Sequence, residues 1–470
     1  MAPIEDADRE HLRDPDHDTD SADGDARAAK RVRFSTTVSS NDVTQLAIVT
    51  RSAQAGAEAE EEEQEITFFP PRFTYHSFGT EETIQGFEGL EISVLFNAYD
   101  FSAFLDVKYN EQEPIADDIL EKITPSLPEG FTQDRAVFDE NLRNAEQQFV
   151  PQGQLVGSYS KQIDGNERHF EIYEVPLDGN DAAQKLHANM QTMALWFIEG
   201  NSVLLSCLIQ CHVGNFDPFE ICLLTLGADG IDVTDPRWVV YLTYERSKPD
   251  NKRFSPVGYV TLFKFINPLG RKGPGAGTTT NKSEGQQVNE THRICQVLIF
   301  PAHQRQGHGE HLVQCISQRA VVNDKMYELT VEDPVPAFAQ LRNLVDVKNC
   351  LKQNFFSLPP SESAEDVLAP AQGTASLRLR DIHAVQEKLK ITVKQVQTCY
   401  EVLKLRFVDK RDEEQLKKYR LEVKKRLFKL HAEELEGMAS AERRKAFLEV
   451  EYQALDEQYT QLLAKIGAAC

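Results

Sequence analysis

The segment QVLIFPAHQRQGHGEHL, residues 296–312, combines residue types that could bind a phosphate group. An apolar run leads into a loop with glycines at Gly307 and Gly309, and the pattern of a helix follows. The first backbone N–H groups of such a helix are unpaired and lie at the positive end of its dipole. The loop is neither a Walker loop, which needs a following lysine and hydroxyl residue, nor a dinucleotide fingerprint, which needs a third glycine. The spacing therefore predicts a phosphate cradle, with a plain tight turn as the alternative.

Strands and helices on both sides of this loop must hold it in place. The patterns WVVYLTYE, GYVTLFKFI and RICQVLIF predict three successive strands before the loop. After it, EHLVQCISQRAV predicts a helix and MYELTVE a further strand. We expect Asp333 and Pro334 to end that strand and to supply the N-cap and first turn of the helix PAFAQLRNLVDV.

The chain divides into four regions by composition and periodicity. Residues 1–40 are acidic and nearly free of large aliphatic side chains, which predicts a disordered tail. Residues 41–148 carry alternating patterns typical of a strand-rich N-terminal domain, and residues 149–355 hold the loop with its strands and helices. Residues 356–470 repeat apolar positions every three or four residues, which predicts a helical bundle or a protein-docking arm.

Composition excludes several classes of protein. The formal net charge of −23 disfavours duplex nucleic acid as a partner and favours a basic peptide or protein. Eight cysteines without a CxxC pair are typical of reduced thiols and indicate no zinc site. The N-terminus lacks the pattern of a secretory signal, and the most apolar stretch is too short to span a bilayer, so we expect a soluble intracellular protein. Residues 30–33, KRVR, could be a nuclear-import signal or simply a basic patch.

Six blocks of the sequence, one of which contains the loop, resemble a known family. QRQGHG, residues 304–309, matches the pyrophosphate loop of the GNAT superfamily of acyl-CoA N-acyltransferases. The blocks TFFPPRFTYHSFGTEETIQGFEGLEI, ALWFIEG, DPRWVVYLTYE, VGYVTLFKF, QVLIFPAHQRQGHGEHL and LTVEDPVPAFAQLRN occur in this order. Together they resemble type B histone acetyltransferase catalytic subunits over about residues 41–430. The resemblance implies an α+β fold, with a GNAT core of a mixed sheet and flanking helices.

The same resemblance implies acetyl-CoA as co-substrate and no metal. The strand before the loop would offer its backbone to the pantetheine arm and one N–H to the developing oxyanion, through Val297, Leu298 and Ile299. The remaining expected coenzyme contacts are Gln304, Arg305, Gln306, Gly307, His308, Gly309 and Glu310. We expect His308 to pack within the loop rather than to act as a base. Ala337 stands where family members commonly have a serine, so one hydrogen bond to the coenzyme is expected to be missing.

Acetyl transfer to lysine needs an uncharged amine, although a free lysine has a pKa of about 10.4, so a base must accept a proton. The resemblance points to Glu332 as that base, with Asp333 and Glu199 as further candidates. Clustered carboxylates raise each other's pKa and attract a cationic substrate. A helix N-cap is the alternative role for Asp333, and a solvated helix end for Glu199. Cys295 and Cys315 are interpreted as small core residues, because direct attack by the amine is usual in this superfamily.

The resemblance also implies a groove for a histone tail. Its expected lining residues are Thr80, Glu81 and Glu82 together with Phe263, Lys264 and Phe265. Aromatic rings can cover the aliphatic stem of a lysine while acids meet its basic neighbours, although Lys264 suits a basic peptide poorly. The implied partners are the amino-terminal tail of newly made histone H4 with its partner histone, and a WD-repeat histone-binding subunit, in cytoplasm and nucleus. The alternatives are a GNAT enzyme for another amine, and a histone-binding protein with weakened catalysis.

One segment departs from the family pattern. Residues 201–227 hold three of the eight cysteines, and their removal joins WFIEG directly to ADGIDVTDPRW. We interpret this apolar block as translated intron or a gene-model error, with a genuine insertion as the alternative.

Overall fold

A computed structural model describes residues 36–51, 64–198, 231–246, 254–271, 288–358 and 377–467. Residues 1–35 of the expected disordered tail, the unusual block 201–227 and the catalytic candidate Glu199 lie outside these ranges. Thr37–Ser39, which the prediction placed in that tail, form a strand because they pair with Thr83–Gln85, so strand structure begins before the expected boundary at residue 40. Among the described helices, none is both long and apolar enough to cross a membrane.

Fourteen strands and twelve helices are found in the described ranges. The strands are β1 (Thr37–Ser39), β2 (Thr44–Arg51), β3 (Gln64–Phe69), β4 (Thr83–Gln85), β5 (Phe87–Glu88), β6 (Glu91–Asn97), β7 (Ala103–Lys108), β8 (Glu111–Gln112), β9 (Gln154–Ile163), β10 (Asn166–Pro176), β11 (Trp238–Arg246), β12 (Phe254–Arg271), β13 (Val288–Ile299) and β14 (Met326–Val331). The helices are α1 (Ser40–Val43), α2 (Tyr75–Phe78), α3 (Ile119–Ile123), α4 (Arg135–Gln148), α5 (Asp181–Leu195), α6 (His308–Val322), α7 (Pro336–Lys352), α8 (Leu379–Leu389), α9 (Val393–Leu405), α10 (Glu413–Leu430), α11 (Ala432–Glu436) and α12 (Ala441–Gly467). Single 3-10 turns lie at Thr124–Ser126 and Pro301–His303.

The N-terminal region is built on a four-stranded sheet in the order β3-β2-β6-β7. Strands β2 and β6 are parallel, and the other neighbours are antiparallel. Phe138 and Leu142 of α4 pack on one face of this sheet against Ala47 and Leu95. Residues along β2 and β6 point alternately to the two faces of this sheet. One face packs against α4 and the other against the rest of the core, so both faces are buried.

A six-stranded sheet in the order β14-β13-β12-β11-β10-β9 forms the centre of the molecule. It is antiparallel except for the pair β13 and β14. Helices cover both faces, which explains why its strands are almost continuously apolar. Along β11, Val240 and Leu242 pack in the cluster with α5, whereas Val239 and Tyr241 pack in the cluster with α6. The predicted α+β fold with a mixed sheet is confirmed.

Strands β13 and β14 pair over only part of their length. Their last paired residues are Ile294 and Val331, and the Glu332 N–H then donates to the Ile294 carbonyl at 2.9 Å. Strand β13 continues to Ile299 beside β12, after a bulge that leaves Cys295 without a partner in the register. Within the described ranges, no strand pairs with Val297–Ile299 on the β14 side. The sheet therefore opens at this point.

The expected N-cap of α7 is wrong. The helix begins at Pro336 with Val335 at the N-cap, and not with Asp333. The backbone of Asp333 has φ of 29°, so the chain turns sharply before the helix starts. Proline at the first helical position suits this start, because its missing N–H would be unpaired there in any case.

The C-terminal helices α8–α12 share one hydrophobic core. Val385, Val396 and Tyr400, which the periodicity placed on one face, are fully buried in it. A charged group is buried with them, since Glu401 accepts two bonds from Arg426, at 2.7 and 2.9 Å. The predicted helical region is confirmed.

The hydrophobic clusters cross the predicted domain boundaries. One cluster joins Phe96 of β6 with Trp196 and Tyr259 of the central region. Another joins Val347 of α7 and the fully buried Phe356 to the C-terminal helices. The division at residues 148 and 355 stays a prediction.

Candidate active site

The loop predicted as a phosphate cradle ends in the N-cap of α6. Gly307 holds that position with φ of 85° and ψ of 8°, a left-handed conformation that suits glycine. Gln304 and Gln306 fix the loop by donating from their side-chain amides to the carbonyls of Ile299 and Ala302, at 2.9 and 3.0 Å. No side chain caps the N-terminus of α6 in the described structure, so the first-turn N–H groups remain available to an anion. The helix begins two residues earlier than the pattern EHLVQCISQRAV indicated.

His308 is a packing residue of this loop. Its side chain is buried, and its two ring nitrogens are hydrogen-bonded to the Tyr159 hydroxyl at 2.8 Å and to Gln306 at 3.1 Å. Burial, together with the positive charges of the nearby His303 and Lys161, lowers the pKa of His308 to about 4. A neutral imidazole that is bonded on both sides positions the loop and has no free nitrogen for a substrate.

Two further loop residues join α6 to α7. A Cβ on Gly309 would come within 3.0 Å of Leu341, so the absence of a side chain permits close packing of the two helices. The Glu310 carboxylate forms an ion pair with Lys348 at 2.5 Å. Glu310 therefore uses its side chain within the protein, and only its backbone remains for the predicted coenzyme contact.

The strand segment predicted for the pantetheine arm borders the opening in the sheet. Val297, Leu298 and Ile299 pair with β12 on one side. On the other side β14 has already ended. Exposed backbone at such an opening can hydrogen-bond an extended, amide-containing ligand.

Glu332 lies at the same opening, directly after β14. Its side chain is about half exposed, and its carboxylate is 3.4 Å from the Arg293 guanidinium. Asp333 follows as a second exposed acid in strained backbone. The structure thus brings two of the three proposed carboxylates together, and Glu199 is outside the described residues.

Cys295 sits at the bulge of β13 beside Glu332. Burial, together with the negative charge of Glu332, raises the pKa of its thiol to about 12. The pKa of Cys315 is likewise raised to about 11, chiefly by burial. Both thiols are protonated at neutral pH, and a protonated thiol is a poor nucleophile.

A row of two aromatic rings flanked by two arginines extends from Glu332 along the sheet. Arg293 lies over the ring of Phe265 at 4.6 Å, and that ring contacts Phe263 edge-on with centroids 4.7 Å apart. Arg237 covers Phe263, also at 4.6 Å, and is anchored by Asp235 through its Nε at 2.9 Å. The two predicted groove aromatics are therefore connected to the proposed base. We call Arg293, Phe265, Phe263 and Arg237 the arginine–aromatic ladder.

Arg293 and Arg237 were not among the residues expected from the sequence. Phe263 pairs with Arg293 across β12 and β13, so the two side chains share one face of the sheet. Lys264 alternates to the opposite face, where its charge is among the influences on His292. A charged residue within the apolar strand RICQVLIF was the available signal for Arg293.

Thr80, Glu81 and Glu82 follow α2. The segment before them is anchored to the end of α5, because the Arg72 and Phe73 N–H groups donate to the Trp196 carbonyl. Thr80 and Glu81 are exposed.

Glu82 has a role inside the protein. Its carboxylate accepts the Thr74 and Tyr75 N–H groups at 2.5 and 3.1 Å and the Asn41 amide at 2.8 Å. Burial by itself raises the pKa of Glu82, but these hydrogen bonds outweigh it and hold the pKa below the usual value. The carboxylate therefore secures the N-terminus of α2 and is not free for a basic peptide.

The amino-acid sequence of this chain is similar to sequences of known proteins. Residues 36–199 match the family model described as the N-terminus of the histone acetyl transferase HAT1. A histone acetyltransferase type B catalytic subunit of Cryptococcus neoformans var. neoformans is 26% identical over 452 residues, covering 90% of this chain and 96% of that protein. The subunit of the same name from Homo sapiens is 28% identical over 379 residues, covering 78% of this chain and 76% of that protein.

A solved aminoglycoside acetyltransferase from a soil metagenomic sample is 16% identical, covering 42% of this chain and 91% of its own. Its TM-score of 0.19 is too low to bear on fold or function. The relatives matched along most of the sequence are the informative ones. This chain is similar to type B histone acetyltransferase catalytic subunits over most of its length, and its residues 36–199 match the family model named above.

Proposed function

We propose that this protein transfers the acetyl group of acetyl-CoA to lysines in the amino-terminal tail of newly synthesised, nucleosome-free histone H4. The observation that carries the proposal is the position of Glu332 at the opening between β13 and β14. The backbone of Val297–Ile299 borders the same opening, and the loop that ends at Gly307 follows that segment. A base and a strand edge suited to a thioester substrate thus meet in one place.

The described residues fit acetyl-CoA as a substrate. Gly307 leaves room above the uncapped N-terminus of α6, where phosphate groups are favoured. The free side of Val297–Ile299 can bind the amide groups of the pantetheine arm. Ala337 lies in the first turn of α7 and provides no hydroxyl, so we expect affinity lower by the equivalent of one hydrogen bond, about 0.5–1.5 kcal/mol.

In the proposed reaction Glu332 accepts a proton from the substrate ammonium, directly or through a water molecule. Its ion pair with Arg293 is partly exposed and therefore weak, so a substrate ammonium can replace the guanidinium. The neutral amine then attacks the thioester carbon, the C–S bond breaks as the amide forms, and coenzyme A leaves as a thiolate that takes up the proton released by the attacking nitrogen. A backbone N–H of Val297–Ile299 stabilises the oxyanion that develops. Asp333, and Glu199 if it lies nearby, add negative charge that attracts the amine.

The substrate groove differs in detail from the expectation. The faces of Phe263 and Phe265 are already covered by arginines, so a lysine stem would lie along the exposed edge of Phe265 and beside Ile266. The exposed Glu81 can meet a basic residue of the tail, whereas Glu82 cannot. The net charge of −23 favours encounter with a basic tail.

Assembly with a WD-repeat histone-binding subunit, the presence of a partner histone, and residence in cytoplasm and nucleus are part of the same proposal. These three expectations rest on the similarity of this chain to type B histone acetyltransferase catalytic subunits. A pull-down of the tagged chain from cell extract, separated into nuclear and cytoplasmic fractions and identified by mass spectrometry, tests all three.

The activity is tested by incubating the purified chain and acetyl-CoA with free histone H4, with nucleosomes and with spermidine. We expect rapid acetylation of free H4, located to its tail lysines by mass spectrometry, and little of the other two. Transfer to spermidine alone would indicate a GNAT enzyme for another amine. Tight H4 binding without transfer would indicate a histone-binding protein.

A further inference from the structure

We propose that Lys161, on β9, binds a phosphate group of acetyl-CoA above the loop of residues 304–309. The assignment deepens the proposed function and rests on it. It adds a phosphate contact from β9, at the opposite edge of the central sheet. This contact is not part of the loop motif.

The geometry places the Lys161 side chain over the N-terminus of α6. Its Nζ is 3.0 Å, and its Cε 3.9 Å, from the position that a Cβ on Gly307 would occupy. Tyr159, two residues earlier on β9, bonds His308 and stacks on His311 with centroids 3.9 Å apart. Alternate residues of a strand share a face, so the contacts of Tyr159 also hold Lys161 on the α6 side.

A cation at this place is unfavourable in the protein alone. The N-terminus of a helix carries a partial positive charge of roughly half a unit, and α6 is 15 residues long. Within the described structure no carboxylate forms an ion pair with Lys161, and the acid of the first turn, Glu310, is paired with Lys348. Arg305 adds a further exposed positive charge in the loop.

The neighbouring histidines respond to this concentration of positive charge. Burial lowers the pKa of both His308 and His311, and the charge of Lys161 lowers each further. Unbalanced charge that persists in a folded protein is a feature of binding sites.

An anion between Lys161 and the helix would remove the repulsion. The pyrophosphate of acetyl-CoA has suitable charge, and because Gly307 has no side chain, the flexible Lys161 side chain alone stands over it and can turn aside to bind the phosphate. The lysine then acts as a point charge with three donors, while the helix supplies backbone N–H groups. The two sides of the phosphate are contacted from different elements, β9 and α6.

The test compares Lys161→Met with wild type using two acetyl donors. Acetyl-CoA carries the phosphates, whereas acetyl-pantetheine keeps the thioester and the amide arm but lacks them. We expect kcat/KM for acetyl-CoA to fall roughly 10-fold to 100-fold, as for loss of a charge-assisted hydrogen bond, with no change for acetyl-pantetheine. Lys161→Arg should recover most of the loss.

Lys185→Met is the matched control, because Lys185 is an exposed lysine of α5 on the other face of the sheet. Its kinetics with both donors should equal those of wild type. An equal loss with both donors in Lys161→Met would overturn the proposal, since it would show a distorted loop. Unchanged use of acetyl-CoA by this variant would also overturn it, yet leave the proposed function intact. Only failure of wild type to use acetyl-CoA would count against the function itself.

Discussion

At the scale of single residues, Gly307 gives the most direct test of the phosphate loop. Gly307→Asp would force a side chain into left-handed backbone, place it against Lys161 and add a charge that repels phosphate. We expect acetyl-CoA affinity, measured by calorimetry, to fall at least tenfold. Gly130→Asp is the control, because Gly130 has φ of 76° but nothing within 4 Å of the added Cβ. Equal affinity of Gly307→Asp and wild type would mean that the loop is only a turn.

Residue roles were predictable where they depend on local pattern. The glycine loop is such a case, since its spacing indicated a loop leading into a helix N-terminus, which is found two residues before the predicted start. The role of Arg293 was not predictable, because its contacts with Phe265 and Glu332 depend on the register of separate strands. The sequence FGTEET likewise could not show that Glu82 turns back onto the Thr74 and Tyr75 N–H groups.

At the scale of elements, strands were predicted better than helix ends. Continuous apolar runs such as WVVYLTYE arise from burial on two faces, which is a strong signal. The ends of α6 and α7 depend on left-handed residues, Gly307 and Asp333, whose conformation is set by the surrounding structure. The sequence could not indicate which residue near Pro334 would stand at the N-cap of α7.

The junction of α7 and α9 contains a buried acid with a testable titration. Asp346 is buried, and its Oδ2 is 3.4 Å from the Nε of Arg342, an ion pair without hydrogen-bond geometry. Burial raises the pKa of Asp346 to about 6, although Arg342 and a hydrogen bond from Gln395 oppose the rise. The folded protein therefore holds this proton more tightly than the unfolded chain does.

Because the folded-state pKa is the higher one, protonation of Asp346 stabilises the fold at low pH, and this contribution is lost as the pH rises from about 4 to about 6. Relative to Asp346→Asn, wild type should therefore lose about 1 kcal/mol of unfolding free energy between pH 5 and pH 7.5. Urea unfolding at the two pH values measures this difference. The exposed Asp178→Asn should show no such trend, and a pH-independent difference for Asp346→Asn would contradict the assignment.

At the scale of the whole molecule, the block 201–227 can be tested by deletion. Ile198 before it and Val233 after it pack against the same hydrophobic cluster, so a short connection could join the flanking segments. We expect the deletion variant to keep its thermal unfolding midpoint and its acetyl-CoA affinity. Loss of folding on deletion would show that the block is a genuine part of the protein, as would a single transcript that encodes it.

The overall organisation was only partly predictable. Region types followed from periodicity, because strands and helices repeat at different intervals. The hydrophobic cores that the regions share did not follow from periodicity. One such core brings Phe96, Trp196 and Tyr259 together, and these residues lie far apart in the sequence. The placement of Glu332 beside Val297–Ile299 is likewise a result of where β14 ends against β13.

The central claim is that Glu332 accepts the proton of the substrate amine, and Glu332→Gln tests it. The measurement is steady-state transfer from acetyl-CoA to an H4 tail peptide by wild type and variant from pH 6.5 to 9.5, with coenzyme affinity measured in parallel. We predict unchanged acetyl-CoA affinity and turnover lower by about 10²-fold to 10⁴-fold near neutral pH, with a smaller loss at alkaline pH as the free amine becomes common. Turnover by Glu332→Gln at the wild-type rate across neutral pH would contradict the account and leave Asp333 or Glu199 as the base.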